Sequence, residues 1–281
     1  MFLSWIFMLS GEKLVGDRIF DGLAERFLKN VYGTEKGDIR LSILWEDMLS
    51  QIPSLTQGSA LSVLDIGGGA GQVAARIANL GHQVVLAEPS KDMLEHAARL
   101  IATQDLGAGS IVFENHSIQS MVETDDRQFD LVVFHAVLEW LEDPFACLNL
   151  VLTKLKPGGV LSLMFYNKHS IIFKNITKGN FFMVLKEQFR GHSGGLTPIN
   201  PLDPEAVYCA LEQQNMHIQG KAGIRCFYDH MRKDAREKRT LEQIIAMEQR
   251  FCRQQPYLGL ARYIHVVAVK QVNEMPQGTG V

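Results

Sequence analysis

The feature that most constrains the fold of this chain is a short apolar run that ends in closely spaced glycines and continues into a helical pattern. Residues 63–66 read Val-Leu-Asp-Ile and lead directly into Gly67-Gly68-Gly69-Ala70-Gly71. Glycines at such a junction let the chain turn tightly from a strand into a helix, and they let a ligand lie against bare backbone beside helix N-terminal amides. The spacing is G-x-G-x-G, whereas the dinucleotide fingerprint needs glycine at the position of Gln72.

A second candidate ligand residue is Glu88, which ends the next apolar run, 21 residues after Gly67. A carboxylate at the end of a second strand can accept hydrogen bonds from both hydroxyls of a ribose. The alternative without a ligand is a solvated glutamate beside an ordinary tight turn. Because the glycine turn and the acid occur in this order, we favour a ligand site.

Apolar runs alternate with helical patterns along most of the chain, which predicts an α/β fold with a mostly parallel sheet and helices on both faces. Two N-terminal helices are expected between Asp17 and Gln51, broken at Tyr32-Gly33-Thr34. Residues 167–202 interrupt the alternation and predict a helical insertion after the fifth strand. Seven strands are expected, near residues 61–66, 83–87, 111–113, 131–134, 160–165, 217–221 and 263–269.

Composition excludes several classes of protein. Hydrophobic residues make up 46% and charged residues 21% of the 281 residues, which is typical of a globular protein and not of a disordered or fibrous one. The net charge of −3 gives no basic field over the whole chain. The four cysteines form no C-x-x-C pair, which argues against a zinc site or a disulfide framework. We therefore expect no metal, no membrane partner and a reducing, cytoplasmic location.

A local basic segment stands out against this background. Residues 221–262 contain ten basic and five acidic side chains, a net charge of +5, so the rest of the chain carries −8. Charge runs are usually solvated faces, but this asymmetry favours contact with RNA phosphates. The candidate RNA-binding residues are Arg225, Arg232, Lys233, Arg236, Lys238 and Arg239.

Several segments, taken in order, resemble the class I S-adenosylmethionine-dependent methyltransferases. The glycine loop and Glu88 match the residues that hold the cofactor in that superfamily. Phe129-Asp130-Leu131-Val132-Val133-Phe134 looks like its fourth strand, and Leu155-Lys156-Pro157-Gly158-Gly159 looks like its turn into the fifth. The resemblance implies a Rossmann-like fold, seven strands and S-adenosyl-L-methionine as cofactor.

Other segments are similar to the bacterial tRNA 5-carboxymethoxyuridine methyltransferases, over residues from about 17 to 270. They include Phe20-Asp21-Gly22-Leu23-Ala24-Glu25-Arg26-Phe27, Asn30-Val31-Tyr32-Gly33-Thr34-Glu35-Lys36-Gly37-Asp38-Ile39-Arg40, His135-Ala136-Val137-Leu138-Glu139-Trp140 and Phe251-Cys252-Arg253-Gln254-Gln255-Pro256-Tyr257. That family converts a carboxymethoxy group on the wobble uridine of certain tRNAs to its methyl ester. The resemblance therefore implies a tRNA-modifying enzyme whose partner is the anticodon loop.

The same resemblance assigns cofactor contacts at matching positions, and the glycine loop itself adds Asp65 and Gly69. Arg40 can hold a carboxylate in a planar, bidentate way, although an arginine on a helix is often only a solvated residue. His135 follows the fourth strand on the ligand edge of the sheet, although a core histidine is the alternative. The full predicted set is Arg40, Asp65, Gly67, Gly68, Gly69, Glu88, Ile118, Gln119 and His135.

The chemistry that the resemblance implies needs positioning more than proton transfer. A carboxylate acceptor with a pKa of about 4 is already ionised at pH 7, so its methylation needs no general base. We expect Tyr166 and Arg262 to position this acceptor, with Arg225 behind them. Tyr166, Phe181 and Phe182 are available to stack on an unstacked base.

Residues 17–270 are expected to form a single methyltransferase domain, with residues 1–16 as an extension outside it and 271–281 as a flexible tail. The first ten residues are apolar but lack signal-peptide features and are too short to span a bilayer. One interpretation is that the natural chain begins at Val15, since a GTG codon can serve as a start. A short docked helix is the other.

Two further functions remain open from the sequence. The chain could methylate a small carboxylic acid or a phenol, with the insertion as a lid, or it could be a non-catalytic cofactor-binding module that serves an RNA or protein partner. The intact glycine loop, together with Glu88 and His135, favours an enzyme over a binding module.

Overall fold

The fold is organised by one sheet, which confirms the predicted α/β class. The computed structural model describes residues 16–189 and 198–272. Within them, seven strands form one sheet in the order β3-β2-β1-β4-β5-β7-β6. The strands are β1 (Ser62–Ile66), β2 (Gln83–Ala87), β3 (Ser110–Glu114), β4 (Phe129–His135), β5 (Leu155–Tyr166), β6 (Met216–Ile224) and β7 (Tyr263–Lys270).

Strand direction follows from the connections between the strands. The strands β1 to β5 are joined through helices and pair in parallel, as strand–helix–strand units require. β7 pairs antiparallel with both β5 and β6, so β6 runs in the direction of the first five strands. The strand order reverses between β1 and β4, which leaves a crevice at their carboxyl ends.

Helices cover both faces of the sheet, and two of them precede β1 as predicted. Between these two, Leu28–Tyr32 forms a π-helical turn. The α-helices are α1 (Ala24–Phe27), α2 (Glu35–Gln51), α3 (Gln72–Ala78), α4 (Lys91–Ala102), α5 (Ile118–Thr124), α6 (Pro144–Thr153), α7 (Lys168–Thr177), α8 (Phe181–Leu185), α9 (Pro204–Gln213), α10 (Lys233–Arg236), α11 (Leu241–Phe251) and α12 (Tyr257–Leu260).

The core consists of two apolar layers, because successive residues of a strand point to opposite faces of the sheet. Val63 and Leu131 belong to the layer formed with α2, α3 and α11. Their neighbours Leu64 and Val132 belong to the opposite layer, formed with α5, α6 and α9. Burial on both faces explains why these strands read as nearly continuous apolar runs in the sequence.

One strand boundary differs from expectation. The segment Lys156-Pro157-Gly158-Gly159 was expected to form a turn before the fifth strand, but it lies within β5. The pairing of β4 with β5 shifts register at this point, and Gly158 adopts a φ of +76°. The extra residues are taken up as an irregularity in the strand, so the strand begins earlier than its apolar run.

The insertion after β5 contains α7 and α8, and its ends meet where Asn167 and Leu202 form a β-bridge. Residues 190–197 of the insertion lie outside the described residues. Residues 1–15 of the predicted extension and residues 273–281 of the predicted tail also lie outside them.

A buried carboxylate holds the loop that follows β6 against α11. The side chain of Glu248 is fully buried and accepts hydrogen bonds from the backbone N–H groups of Cys226 at 2.5 Å, Phe227 at 2.9 Å and Tyr228 at 2.8 Å. Burial raises the pKa of Glu248 above its ordinary value, although the three hydrogen bonds oppose that shift. This loop also carries Arg225, so its conformation matters for the site described below.

Replacing this carboxylate is expected to destabilise the protein strongly. Glu248→Ala leaves three backbone donors without their acceptor, and we expect the free energy of unfolding to fall by about 2–4 kcal/mol. Urea denaturation followed by circular dichroism at pH 7 measures this change. The exposed Glu212→Ala on α9 is the control and is expected to change stability by less than about 0.5 kcal/mol. Equal effects of the two substitutions would contradict the role given to Glu248.

Candidate active site

A cavity of about 380 Å³ lies at the carboxyl ends of β1, β2 and β4, where the strand order reverses. We call it the glycine-loop cavity. Its size falls within the range of small-molecule sites, which is about 300–1,000 Å³. Seven of the nine residues predicted to contact the cofactor line it: Arg40, Gly67, Gly69, Glu88, Ile118, Gln119 and His135.

The other two predicted residues are Asp65, which lies in β1 beneath the loop, and Gly68, which belongs to the loop itself. A Cβ atom on Gly68 would lie 2.8 Å from the carboxyl group of Asp65, so only glycine fits above this acid. Gly67 adopts a φ of +65°, and a Cβ atom there would lie 2.5 Å from a methyl group of Val137. The glycines therefore permit both the turn and the close packing below it.

Two acids meet at the loop. Glu88 is buried and accepts hydrogen bonds from the backbone N–H groups of Gly69 and Ser90, each at 3.0 Å. Asp65 is 2% exposed, and its Oδ2 has no hydrogen-bond partner among the described residues. Burial, with the nearby charge of Glu88, raises the pKa of Asp65 to about 7. A backbone hydrogen bond from Ala74 opposes this shift but does not outweigh it, so the surroundings of Asp65 disfavour its charged form.

Arg40 lies between aromatic rings on the second turn of α2. Its guanidinium carbon is 4.7 Å from the centre of the Tyr32 ring and 5.8 Å from that of Tyr263. The residue is 5% exposed, and its Nη2 has no hydrogen-bond partner within the described part of the chain. This arrangement leaves a buried cationic donor available to an anionic group in the cavity.

Residues that start the described chain close one side of the same cavity. Asp17 accepts hydrogen bonds from Nε2 of Gln119 at 2.7 Å and from the backbone N–H of Glu142 at 2.9 Å. The backbone N–H of Arg18 donates to the carbonyl of Trp140, and the ring of Phe20 packs edge-on against Trp140 with centres 5.0 Å apart. These contacts tie the N-terminal segment to the first turn of α5 and to the loop after β4.

A second cavity, of about 210 Å³, adjoins the first and shares Phe27, Arg40, Ala136 and Trp140 with it. We call it the arginine cavity. Both residues that were expected to position an acceptor line it, and Nη1 of Arg262 donates a hydrogen bond to the hydroxyl of Tyr166 at 2.7 Å. Its charged lining residues are Lys36, Arg40, Glu139, Lys174, Arg225, Asp229 and Arg262.

The charges in the arginine cavity are unbalanced. Asp229 pairs with both Arg225 and Arg262, and the charges and hydrogen bonds of these arginines outweigh its burial and hold the pKa of its carboxyl well below the ordinary range. Glu139 is 1% exposed, and burial raises its pKa to about 8, so it is mostly protonated at pH 7. The cations around this cavity therefore outnumber its ionised carboxylates.

Most of the remaining predicted residues lie apart from these cavities. Arg232, Lys233, Lys238 and Arg239 are exposed on and beside α10, whereas Arg236 packs over the ring of Tyr228 with its guanidinium carbon 4.9 Å from the ring centre. Arg225, which was expected both among the RNA contacts and behind Tyr166 and Arg262, lies with these two residues in the arginine cavity and is 8% exposed. Phe181 and Phe182 are exposed on α8.

Sequence reasoning missed several residues that line these cavities. Tyr32, Lys36 and Trp140 belong to the segments that carried the family resemblance, and this membership was the available signal. Asp229 and Lys174 gave no signal, because charged residues on amphipathic helices and loops are usually solvated. In the described ranges no helix is long and apolar enough to cross a membrane, and no cluster of metal-ligating side chains occurs.

The buried Asp65 predicts a stability change that depends on pH. Its folded-state pKa of about 7 lies above the value of about 4 in an unfolded chain, so its ionisation costs almost nothing below about pH 4, increasingly destabilises the fold between about pH 4 and 7, and adds no further cost above that range. Asp65→Asn is expected to raise the melting temperature relative to the parent at pH 8 and to raise it much less at pH 4.5. The exposed Asp126→Asn is the control, and a gain independent of pH would contradict this account.

Comparison with known proteins identifies the family. The methyltransferase domain family matches residues 64–163, which contain the glycine loop, Glu88 and His135. The chain is similar to the tRNA 5-carboxymethoxyuridine methyltransferase of Escherichia coli K12, with 41% identity over 254 residues that cover 90% of this chain and 97% of that protein. It is also similar to the human mitochondrial ubiquinone biosynthesis O-methyltransferase, with 25% identity over 66% of this chain and 50% of that one.

Solved structures show the same fold. The [4+2]-cyclase SpnF matches with a TM-score of 0.57 and 17% identity, covering 89% of this chain and 94% of that one. The plantazolicin methyltransferase BamL, solved in complex with a triazolic substrate analogue and SAH, matches with a TM-score of 0.56 and 16% identity, covering 89% and 91%. The chain therefore belongs to the family of tRNA 5-carboxymethoxyuridine methyltransferases, within the class I S-adenosylmethionine-dependent methyltransferases.

Proposed function

We propose that this protein transfers a methyl group from S-adenosyl-L-methionine to the carboxylate of 5-carboxymethoxyuridine at the wobble position of tRNA and so forms the methyl ester. The observation that carries the proposal is the adjacency of the two cavities, which share Arg40 and Trp140. One has the glycine loop and acid of a cofactor site, and the other has an excess of cations suited to an anionic acceptor. Action on tRNA also supports a cytoplasmic location.

The unpaired atoms in and beneath the glycine-loop cavity fit the amino-acid end of S-adenosyl-L-methionine. Among the described residues, the lining offers a donor at Nη2 of Arg40 and an unpaired ring nitrogen of His135, and an unpaired Oδ2 of Asp65 lies beneath the loop. A carboxylate and an ammonium group on one ligand would satisfy such donors and acceptors. Glu88, at the end of β2, would hold the ribose hydroxyls.

The arginine cavity fits a carboxylate acceptor. Lys36, Arg40, Lys174, Arg225 and Arg262 surround it, while Asp229 is the one ionised carboxylate of its described lining at neutral pH. Partial burial lowers the pKa of Lys174, and the charge of Arg262 adds to that effect. An anion bound here would relieve this repulsion, because buried charges are costly unless they are paired.

The residues of the cavity act by positioning. When bound, S-adenosyl-L-methionine supplies an electrophilic methyl group. Arg262 holds the hydroxyl of Tyr166 as an acceptor, which leaves the Tyr166 O–H free to donate to the carboxylate of the substrate. Because Asp229 already takes up part of the charge of Arg262, the acceptor is oriented without being bound so tightly that its nucleophilicity is lost. Such orientation can supply several kcal/mol, roughly, of the barrier reduction.

The anticodon loop would approach from the side of the insertion and the basic segment. Lys174 on α7 lines the arginine cavity, and α8, next in the chain, exposes Phe181 and Phe182. Exposed aromatic rings near cations are the usual means of holding an unstacked base of single-stranded RNA. Action within tRNA, and not on a free nucleoside, is therefore part of the proposal.

The proposal is tested with labelled S-adenosyl-L-methionine and three acceptors: tRNA that carries unmethylated 5-carboxymethoxyuridine, the free nucleoside, and small carboxylic acids or phenols. We expect transfer to tRNA and a labelled product that mild alkali releases, because esters hydrolyse in alkali and aryl ethers do not. Arg262→Gln is expected to lower kcat/KM for tRNA by about 10- to 100-fold, as loss of a charged hydrogen bond would.

The matched control is Arg99→Gln on α4, an exposed arginine paired only with the neighbouring Glu95 among its described contacts. It should leave kcat/KM unchanged. Alkali-stable label, or faster transfer to a phenol than to tRNA, would overturn the assignment of the acceptor. Cofactor binding without transfer to any of these acceptors would favour a non-catalytic module.

The basic surface around α10 is tested by the salt dependence of tRNA binding. Lys233, Lys238 and Arg239 are exposed, and replacing all three with alanine should reduce the slope of log affinity against log salt by about 2–3, since each phosphate contact contributes roughly 0.7–0.9. The slope is measured by filter binding or fluorescence anisotropy at salt concentrations from about 50 to 300 mM, the range in which phosphate contacts respond to salt.

The control for this measurement is the double substitution Lys91→Ala and Arg99→Ala on α4. Both residues are exposed, so the change removes surface charge without touching the basic segment. Affinity for S-adenosylhomocysteine, measured by calorimetry, should stay constant in all variants. A slope that is unchanged by the triple substitution would show that these residues only contact solvent.

A further inference from the structure

A chain of buried hydrogen bonds connects His135, at the glycine-loop cavity, to the surface of the protein. Nε2 of His135 and Nε2 of His265 each lie 2.8 Å from the hydroxyl oxygen of Ser162. Nδ1 of His265 lies 2.6 Å from Oδ2 of Asp47. Nε of Arg253 donates to Oδ1 of the same aspartate at 2.8 Å, and the Arg253 side chain is 39% exposed.

This series of hydrogen bonds crosses an otherwise apolar layer. Ser162 on β5 and His265 on β7 are fully buried, and Asp47 on α2 is 4% exposed. Their neighbours on this face of the sheet include Val133, Met164 and Val267. A polar group in such surroundings is costly unless it is paired. Each hydrogen bond of the network therefore needs one donor and one acceptor, and this requirement fixes the direction of the bonds.

The direction of each hydrogen bond can be derived from the surface inward. Burial pushes the pKa of Asp47 upward, but the hydrogen bonds from His265 and Arg253 and the charge of Arg253 bring it below its ordinary value, so Asp47 is an ionised acceptor. Nδ1 of His265 must therefore carry a proton and donate it to Asp47. Because Arg253 already pairs with the charge of Asp47, we assign His265 this one proton, which leaves a lone pair at Nε2.

The remaining directions follow from the single proton of a hydroxyl. Ser162 donates its proton to Nε2 of His265, and its oxygen then accepts from His135, which must carry its proton at Nε2. Burial lowers the pKa of His135 well below its ordinary value, and the charge of Arg40 adds to this. A neutral His135 protonated at Nε2 has a lone pair at Nδ1, the atom without a partner in the described structure.

We propose that Asp47, His265 and Ser162 are positioning residues that hold His135 in the Nε2–H tautomer, so that Nδ1 of His135 accepts a hydrogen bond from an N–H group of the bound cofactor. A carboxylate that orients a histidine through its second nitrogen is a known way of fixing a tautomer. Here the carboxylate acts through one further histidine and one hydroxyl. The ligand in this statement rests on the proposed function, whereas the tautomer is a property of the free protein.

The test is Asp47→Asn, which is expected to reverse the direction of each hydrogen bond between residue 47 and His135. Arg253 is a donor, so it retains the amide oxygen of the new side chain and turns the NH2 group toward His265. His265 then accepts at Nδ1 and donates from Nε2 to the hydroxyl oxygen of Ser162. Ser162 in turn donates to Nε2 of His135, so that His135 carries its proton at Nδ1. Nitrogen-15 NMR of histidine-labelled free protein at pH 7.5, about one unit above the ordinary pKa of histidine, reports which ring nitrogen of His135 is protonated.

In the parent protein we expect the His135 proton at Nε2, and in Asp47→Asn we expect it at Nδ1. Calorimetric affinity for S-adenosyl-L-methionine should then fall about 10- to 100-fold, because an acceptor facing the ligand has become a donor. Glu46→Gln is the matched control, since it removes one carboxylate from the adjacent position of α2 without touching the chain. It should change neither the tautomer nor the affinity.

Ser162→Ala provides a second variant, in case Asp47→Asn does not fold. It removes the hydroxyl group that links His135 to His265. We therefore expect a mixture of His135 tautomers and a smaller loss of affinity for S-adenosyl-L-methionine. A parent protein with its proton at Nδ1 of His135, or an unchanged tautomer in both variants, would overturn the proposal. A parent protein that shows the expected tautomer but binds no S-adenosyl-L-methionine would instead contradict the proposed function.

Discussion

Burial of polar groups that the protein itself leaves unpaired is the constraint on which the site depends. At the carboxyl ends of β1 and β4, Asp65, Arg40 and His135 each keep one buried polar atom without a partner among the described residues. Each such atom costs stability, of the order of 1–3 kcal/mol. The two apolar layers on the faces of the sheet offset this cost, so the site can be prepared for a ligand before the ligand arrives.

The same constraint explains how the two cavities are joined. Arg40 is nearly fully buried and belongs to both cavity walls, so its charge acts on the groups of each. It helps to keep His135 neutral on one side and opposes the ionisation cost of Glu139 on the other. A single guanidinium held between the rings of Tyr32 and Tyr263 thus couples the electrostatics of cofactor and acceptor.

The sequence predicted the fold well, together with the position of the glycine loop and Glu88 at one edge of the sheet, because local patterns determine these features. Apolar runs, glycine spacing and strand-end acids are short-range features, whereas Arg40, Ile118, Gln119 and His135 were assigned only through the family resemblance. The series of hydrogen bonds that joins Asp47 to His135 could not be predicted this way. Its four residues come from α2, β4, β5 and β7 and meet only through the register of the sheet. The pairing of Arg225 and Arg262 through Asp229 also depends on tertiary structure, since the loop after β6 must pack against the start of β7.

The balance of acids and cations bears on the kind of acceptor that the arginine cavity suits. Methylation of a phenol near neutral pH needs a base, because a phenol has a pKa of about 10. Among the described lining residues, Asp229 is paired with two arginines and is a poor base, and Glu139 is mostly protonated at pH 7. His135 lines the other cavity and has its Nε2 engaged by Ser162. These groups orient an acceptor and neutralise its charge, so the cavity suits an acceptor that arrives already ionised, as a carboxylate does.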